Sequence, residues 1–242
     1  PYEDHHFIMR CAAGRHSLSQ TPATALTSAQ ELLEYCRQLI ERKCAAPGDD
    51  MLTRLIDAEG RPDNLSVEEF AHITAMLLRA GHDTTANMIS LGTLVLLQHP
   101  AELAALRADL SLINGAVEEL LRYLSPVQFV PRRVALEDVE IDGVLIRKGE
   151  GVFALTPAAN RDPTVFSDPG RFDVRRDASG HLAFGFGIHQ CLGQILARIE
   201  LQVVFPLLLQ RLPELRVADP EVEVSFKKDS QIVGIYSLPV AW

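Results

Sequence analysis

The chain has 242 residues, 47% of them hydrophobic, which is enough apolar material to bury the core of a globular domain. Its formal net charge of -9 disfavours nucleic acid and anionic membranes as partners, because their phosphates would repel it. No stretch reaches the roughly 18 consecutive apolar residues of a membrane helix. The four cysteines are scattered without a CxxC pair, which argues against a disulfide framework or a zinc site. We expect a protein of the reducing cytoplasm.

The first half of the chain is predicted to be helical. Apolar spacing predicts an amphipathic helix from Ser28 to Ala45 and a shorter one from Asp50 to Ala58. Ser66 and Glu69 form a capping-box pattern, and no proline follows up to Gln98, so one helix of about 50 Å is predicted over residues 66–98. Its mostly apolar middle indicates that it crosses the core. The first residues carry neither an initiator Met nor a signal-type run, so we expect the chain to begin inside a longer protein.

The second half mixes helices with short strands. Turn signals at Asp142-Gly143 and Lys148-Gly149 separate runs of β-type residues. The predicted elements are helices at 100–109 and 114–124, a small sheet within 132–156, an irregular stretch at 160–180, a helix at about 191–211 and a hairpin at 222–238. The sequence has no internal repeats. The expected class is therefore a mostly α (α+β) fold.

A single cysteine, Cys191, lies in a glycine-rich loop over residues 184–193, at the start of the last predicted helix. Glycines let a backbone approach a flat ligand, and the partial positive charge of a helix N-terminus stabilises a metal-binding thiolate. The alternative is a buried structural cysteine. We apply that second interpretation to Cys11, Cys36 and Cys44.

Poor helix formers interrupt the middle of the long helix. Gly81, Asp83 and Thr84 would not be chosen for a regular helix. Gly81 can let the helix open locally, Thr84 can turn its hydroxyl into the gap, and Asp83 can pass protons. A kinked helix with a structural threonine would have the same sequence.

These two segments resemble those of the cytochrome P450 superfamily of heme-thiolate monooxygenases, in its soluble actinobacterial branch. Phe184, Gly187, Cys191 and Gly193 match the signature FxxGxxxCxG, and residues 80–84 match the oxygen-binding pattern AGx(D/E)T. The resemblance runs through the whole of residues 1–242 and implies the C-terminal part of a single P450 domain. Relatives carry a further N-terminal part that covers the heme.

The resemblance implies heme b as cofactor, Cys191 as the iron ligand and Asp83 with Thr84 in proton delivery. Arg133 and His189 match positions that bind the heme propionates. Arg133 could instead be a surface arginine beside Arg132, and His189 could stabilise the loop. The implied heme-contacting residues are Ala80, Gly81, Thr85, Arg133, Ala183, Phe184, Gly185, Ile188, His189, Leu192, Gly193 and Ala197.

Glu119 and Arg122 match the ExxR pair of the family, an i, i+3 pair that supports the heme loop, and Arg171 in a PxRF-like segment is the expected third partner. The same spacing at Glu34 and Arg37 is interpreted as an ordinary solvated pair. His5, His6, His16 and His99 are expected at the surface. Candidate substrate residues, equally consistent with plain core, are Met76, Leu77, Val127, Phe129, Val130 and Ile232.

The leading hypothesis is an enzyme that hydroxylates a hydrophobic small molecule with O2 and electrons from a ferredoxin-type donor. One alternative is a noncatalytic P450-like helper that stabilises a partner enzyme. Such helpers usually lose the cysteine or the acid-alcohol pair, whereas Cys191, Asp83 and Thr84 are all present. Another alternative, a heme sensor without turnover, would have no need of Thr84.

Overall fold

The computed structural model describes residues 2–16, 21–56, 65–128, 132–219, 221 and 223–242, and for residues 12–16 it describes the backbone only. The chain divides into two units, one up to Asp83 and one from Thr84 onward. Helices dominate both, and the strands are two or three residues long.

The helices are α1 (His5–His16), α2 (Pro22–Ala45), α3 (Met51–Ile56), α4 (Val67–Gln98), α5 (Pro100–Ala108), α6 (Ile113–Leu124), α7 (Thr156–Ala159) and α8 (Gln194–Arg211). The strands are β1 (Arg132–Val134), β2 (Val139–Ile141), β3 (Val144–Ile146), β4 (Gly151–Phe153), β5 (Arg216–Val217) and β6 (Val240–Ala241). Short 3₁₀ turns lie at Tyr2–Asp4, Leu110–Leu112 and Gly187–His189.

The first unit is built around the apolar face of α2. This helix begins at Pro22 rather than Ser28, because the Thr21 hydroxyl accepts the Thr24 N–H at 3.2 Å and a proline fits the first helical turn. The buried residues recur at helical spacing and pack with α1 and the first half of α4; they include Cys11, Leu32, Cys36, Ile40, Phe70, Ala71 and Ala75. The predicted amphipathic helix is thus present, whereas α1, which has only a weak apolar stripe, was not predicted.

The long helix α4 starts where the capping box predicts. The Ser66 N–H donates to the Glu69 carboxylate at 2.8 Å, and the Glu69 N–H donates to the Ser66 hydroxyl at 3.2 Å. Its 32 residues give a length of about 48 Å. No single described helix could cross a membrane by length and composition, although α4 and α5, bent by 103°, pass that test as a pair.

The core of the second unit lies between α4, α5, α6 and α8. Val95, Leu106, Val117, Leu120, Leu201 and Phe205 are among its buried side chains. A Cβ added at Gly92 would lie 2.6 Å from Cζ of Phe205, so α4 can approach α8 this closely only with glycine there. Burial of these apolar surfaces is the main stabilising contribution to this unit.

The predicted small sheet is present as separate antiparallel pairs. β1 pairs with β4, with Arg133 opposite Val152, and β2 pairs with β3. The β2–β3 turn uses Asp142 and Gly143, both with positive φ (50° and 76°), as a two-residue hairpin turn requires. In the C-terminal tail, where a hairpin was predicted, an isolated antiparallel bridge joins Phe226 to Ile235.

A buried ion pair connects α6 to the irregular stretch that follows it. The Glu119 and Arg122 side chains are both 0% exposed, with Arg122 Nε 2.6 Å and Nη2 2.9 Å from the two carboxylate oxygens. The same guanidinium donates to three carbonyl oxygens, those of Asn160 (2.8 Å), Pro169 (2.9 Å) and Arg171 (3.3 Å). All its donors are directed at acceptors in a dry site, as a buried arginine needs.

The expected role of Arg171 as third partner of this pair is wrong. Its side chain is 61% exposed and lies 3.6 Å from Asp173, while only its backbone carbonyl faces the network. The cation that reaches Glu119 is Arg176, whose Nε donates to Oε1 at 3.1 Å and whose Nη2 donates to the carbonyls of Asp168 and Arg171. The turn around Arg171 directs its carbonyl inward, so its side chain points to solvent.

Two of the histidines expected at the surface, His5 and His99, are half-buried. His99 is half-buried rather than at the surface: its Nδ1 lies 2.8 Å from the Val95 carbonyl oxygen, and its ring is 5.2 Å from that of Phe172. Glu34 and Arg37 form the expected exposed pair at 3.1 Å, which Glu68 joins at 2.6 Å from Arg37.

The free cysteines fall into two classes. Cys11 and Cys36 are buried, and burial raises the pKa of Cys36 to about 11, partly offset by the charge of Arg79. Burial likewise raises the pKa of Cys11. Cys44 is exposed near the end of α2, so its interpretation as a buried structural cysteine is wrong.

We expect Arg176→Ala to lower the free energy of unfolding by about 1–3 kcal/mol, because it removes a charge-assisted hydrogen bond to the buried Glu119 carboxylate, which Arg122 still neutralises. Arg171→Ala should cost less than about 1 kcal/mol, since it removes an exposed pair. Urea unfolding of the two variants against the parent measures both values. An equal loss in the two variants would contradict the assignment of Arg176 as the partner of Glu119.

The cysteine classes predict different alkylation rates. At neutral pH Cys36 should hold about a hundredfold less thiolate than an ordinary thiol, and it is also inaccessible, so it should react only after unfolding. Cys11 should behave similarly, while Cys44 reacts at once. Peptide mass spectrometry after timed iodoacetamide exposure, with and without denaturant, checks this. Labelling of Cys36 as fast as Cys44 in the folded protein would contradict the packing of α2.

Candidate functional site

The glycine-rich loop closes back on itself and presents Cys191 at its end. The Cys191 N–H donates to the Phe184 carbonyl at 2.9 Å, and the Gln190 N–H donates to the Gly187 carbonyl at 3.0 Å. Gly185 (φ 72°) and Gly187 (φ 80°) adopt left-handed conformations that other residues disfavour. The glycines are therefore required by the path of the loop.

The loop leads directly into α8. This helix begins at Gln194, three residues after the predicted start at Cys191, with Gly193 as its N-cap. The Ala197 N–H donates to the Gly193 carbonyl at 2.9 Å, which is the first bond of the helix. A Cβ at Gly193 would lie 4.0 Å from the Cys191 sulfur. The sulfur thus lies near the N-terminus of α8.

Large apolar side chains of the loop are directed to solvent beside the exposed Cys191. Phe186 is 86% exposed, Ile188 98% and Leu192 78%. Exposed apolar surface of this kind marks a binding site for an apolar partner. A flat, apolar macrocycle with a metal at its centre would cover these side chains and use the thiolate, so the residues present fit heme.

The other predicted heme contacts differ in exposure. Ala183 and Phe184 are half-buried and pack against the core of the second unit. His189, in the 3₁₀ turn, is exposed, and so is Arg133 on β1, whose Nη1 donates to the Arg132 carbonyl at 3.1 Å. The side chains of His189 and Arg133 are therefore both accessible to a carboxylate of a ligand.

A cluster that sequence reasoning missed lies behind Phe184. Glu118 accepts hydrogen bonds from Arg198 (2.7 and 3.0 Å) and from His181 (2.9 Å). Burial alone would raise the pKa of Glu118, but these hydrogen bonds and the charge of Arg198 lower it to about 2. The residues are 63 and 80 positions apart in sequence, and no local pattern joins them.

The segment around Gly81 is helical. α4 continues without interruption through Ala80, Gly81, Asp83, Thr84 and Thr85. Among the described residues, no side chain and no backbone atom beyond the same stretch of helix lies within 4 Å of a Cβ built at Gly81. Asp83, Thr84 and Thr85 are half-buried. The role of this segment toward heme stays a prediction.

The candidate substrate residues occupy different environments. On α4, Met76 is exposed and Leu77 half-buried, while Val127 and the buried Ile232 form an antiparallel bridge. Phe129 and Val130 lie outside the described residues. A polar cleft of about 340 Å³, lined by residues between Val165 and Asp177, contains none of this set.

Comparison with known proteins places the chain in a family. The family model named Cytochrome P450 matches residues 23–234. Over the whole chain, identity is 49% to Cytochrome P450-SU2 and 45% to Vitamin D3 dihydroxylase, both of Streptomyces griseolus, covering 59% of each. The crystal structure of CYP105P1 in complex with filipin I matches all of this chain and 61% of its own, at 45% identity and a TM-score of 0.95.

The chain spans about three-fifths of the length of these relatives. The match to solved structures over its whole length confirms the predicted fold, a mostly α fold with small sheets that corresponds to the C-terminal part of the relatives. The resemblance found in the Cys191 loop and in α4 is also confirmed. The chain belongs to the cytochrome P450 family.

Proposed function

We propose that the protein containing this chain is a heme-dependent monooxygenase that hydroxylates a hydrophobic small molecule with O2 and reducing equivalents. The observation that carries the proposal is the loop at residues 184–193. It presents an exposed thiol between exposed apolar side chains at the N-terminus of α8. The relative named a dihydroxylase supports the class of reaction.

Heme b is the prosthetic group of the family, and it would supply the oxygen chemistry. In this chain Cys191 would hold the iron. Gly185, Ile188, Leu192 and Gly193 would line the macrocycle, with Ala183, Phe184 and Ala197 behind them. These assignments rest on the conformation of the loop and on the exposure of its apolar side chains.

Arg133 and His189 would bind the two propionates, since both are exposed donors suited to a carboxylate. On α4, Ala80, Gly81 and Thr85 would contact the heme. Asp83 and Thr84, an acid next to an alcohol, would hold and pass the protons that cleavage of dioxygen requires. Support for these roles comes from the residue types and their order in the family motif.

The partners of the protein follow from the same chemistry. We infer a ferredoxin-type electron donor, because the proposed reaction consumes reducing equivalents. We also infer a cytoplasmic location, to which four free cysteines and the absence of a disulfide among the described residues are suited. Met76, Leu77, Val127, Phe129, Val130 and Ile232 stay the candidate substrate residues.

The iron-ligand assignment predicts that Cys191→Ser abolishes the thiolate-type absorbance spectrum of the reduced, carbon-monoxide-bound protein. Cys11→Ser, Cys36→Ser and Cys44→Ser should leave that spectrum intact, because two of these thiols are buried and the third is on α2 away from any such loop. Spectra normalised to heme content check the four variants. If one of the three controls removes the signal and Cys191→Ser keeps it, the assignment is wrong.

The proton-delivery assignment predicts that Thr84→Ala still binds heme and consumes reducing equivalents but releases much of the oxygen as hydrogen peroxide. Positioned proton transfer contributes about 10²–10⁴ in rate, so coupled product formation should fall steeply. Asp83→Asn should slow the same step. The measurement is product formed per cofactor oxidised, with a surrogate hydrophobic substrate. An unchanged ratio in both variants would remove the proton-relay role even with Cys191 as ligand.

A further inference from the structure

Three side chains from separate segments meet behind the cysteine loop: Glu118 on α6, His181 just before the loop, and Arg198 on α8. His181 is 2% exposed at its side chain, and Glu118 and Arg198 are largely shielded, at 21% and 28%. None of them belongs to the cysteine, acid-alcohol or ExxR motifs.

Every polar atom that these side chains direct into the cluster has a partner. Arg198 donates to the two oxygens of the Glu118 carboxylate from Nε (2.7 Å) and Nη2 (3.0 Å), and its Nη1 donates to the side-chain oxygen of Gln194 at 3.0 Å. The Ala183 N–H donates to Nδ1 of His181 at 3.1 Å. Nδ1 is therefore the acceptor, and Nε2 carries the hydrogen that goes to Glu118 at 2.9 Å. Such a bidentate, fully satisfied arrangement has one well-defined geometry.

The cluster fixes Phe184 from behind. The Arg198 guanidinium lies 4.6 Å from the centroid of the Phe184 ring, within cation–π range, and the His181 ring lies 5.9 Å from it. The Phe184 carbonyl in turn accepts the Cys191 N–H at 2.9 Å. Arg198 is thus linked to the backbone of Cys191 by two successive contacts, the cation–π contact with Phe184 and the hydrogen bond from Cys191 to the Phe184 carbonyl.

We propose that Glu118, His181 and Arg198 are positioning residues that hold Phe184 in place and thereby aim the Cys191 sulfur. The inference rests on the proposed function of the loop. The Cys191 N–H is bonded to the Phe184 carbonyl, and the large side chains of the loop are exposed, so the orientation of Cys191 depends on the position of Phe184. Groups outside the ligand shell that orient a metal ligand typically change metal affinity about 10- to 100-fold when removed.

The test compares two arginines that each lie over an aromatic ring. Arg198→Ala and Arg198→Lys are made in the heme-loaded protein, with Arg161→Ala and Arg161→Lys as controls. Arg161 also lies over an aromatic ring, that of Tyr123 at 5.4 Å, and donates to the Tyr123 carbonyl at 2.8 Å, but it is exposed and outside the cluster. Three quantities are measured: the rate of heme transfer to apomyoglobin, the thiolate-type fraction of the carbon-monoxide spectrum, and the reduction potential of the iron.

We expect Arg198→Ala to lose heme about 10- to 100-fold faster and to show a mixed carbon-monoxide spectrum and a shifted potential. Arg198→Lys keeps the charge but not the bidentate grip or the planar stacking, so it should give a smaller change in the same direction. The Arg161 variants should match the parent. If Arg198→Ala does not fold, Glu118→Gln, which keeps the shape and removes the charge, replaces it and should give the same spectral change.

The cluster is merely structural if Arg198→Ala and Arg198→Lys lower the melting temperature but keep the parent spectrum, potential and heme-transfer rate, and that result would overturn the inference. Cys191→Ser separates this failure from failure of the proposed function. Loss of the thiolate-type signal in Cys191→Ser with unaltered Arg198 variants rejects only the positioning role. Retention of that signal in Cys191→Ser rejects the ligand assignment itself, and the positioning role with it.

Discussion

The structure of the second unit depends on the buried ion pair between Glu119 and Arg122. A pair removed from water is stable only when its remaining donors and acceptors are satisfied. Here the guanidinium binds the carbonyls of Asn160, Pro169 and Arg171, and the carboxylate binds Arg176 and the Asp173 N–H at 3.1 Å. These partners all lie in the stretch after α7, which has no helix or strand ladder to order it. Its fixed path is the consequence of satisfying one buried arginine and one buried glutamate.

The same network extends to the cysteine loop through Asn160. Its carbonyl accepts from Arg122, its Nδ2 donates to the Ser125 hydroxyl at 2.7 Å, and its Oδ1 accepts the Leu182 N–H at 2.7 Å. The Leu182 carbonyl then accepts the Gly185 N–H at 2.9 Å, inside the loop. A continuous set of hydrogen bonds therefore joins the buried pair to Gly185, the first glycine of the cysteine loop. This explains how a loop with so many exposed side chains keeps a defined conformation.

Local signals in the sequence predicted what local interactions determine. The capping box located the start of α4, apolar periodicity located α2 and α6, and the glycine pattern located the cysteine loop. The errors concern long-range partners. Arg171, Arg175 and Arg176 are the same residue type in one short stretch. Only the geometry of the turn determines that Arg176 reaches Glu119, 57 residues away. The contacts of Glu118 with His181 and Arg198 span similar distances along the chain and have no period that a sequence could reveal.

The two adjacent glutamates of α6 explain why this short helix organises both sides of the loop. Consecutive helical residues point about 100° apart, so Glu118 and Glu119 face different neighbours. Glu119 is held by Arg122 and Arg176 and fixes the irregular stretch, whereas Glu118 is held by His181 and Arg198 and fixes the start of the loop against α8. The ExxR pattern identifies the role of Glu119, and it contains no signal for the role of Glu118. Because the two carboxylates share no partner, a change at one should leave the hydrogen bonds of the other intact, and the ordering of the chain and the aiming of Cys191 are separable functions of one helix.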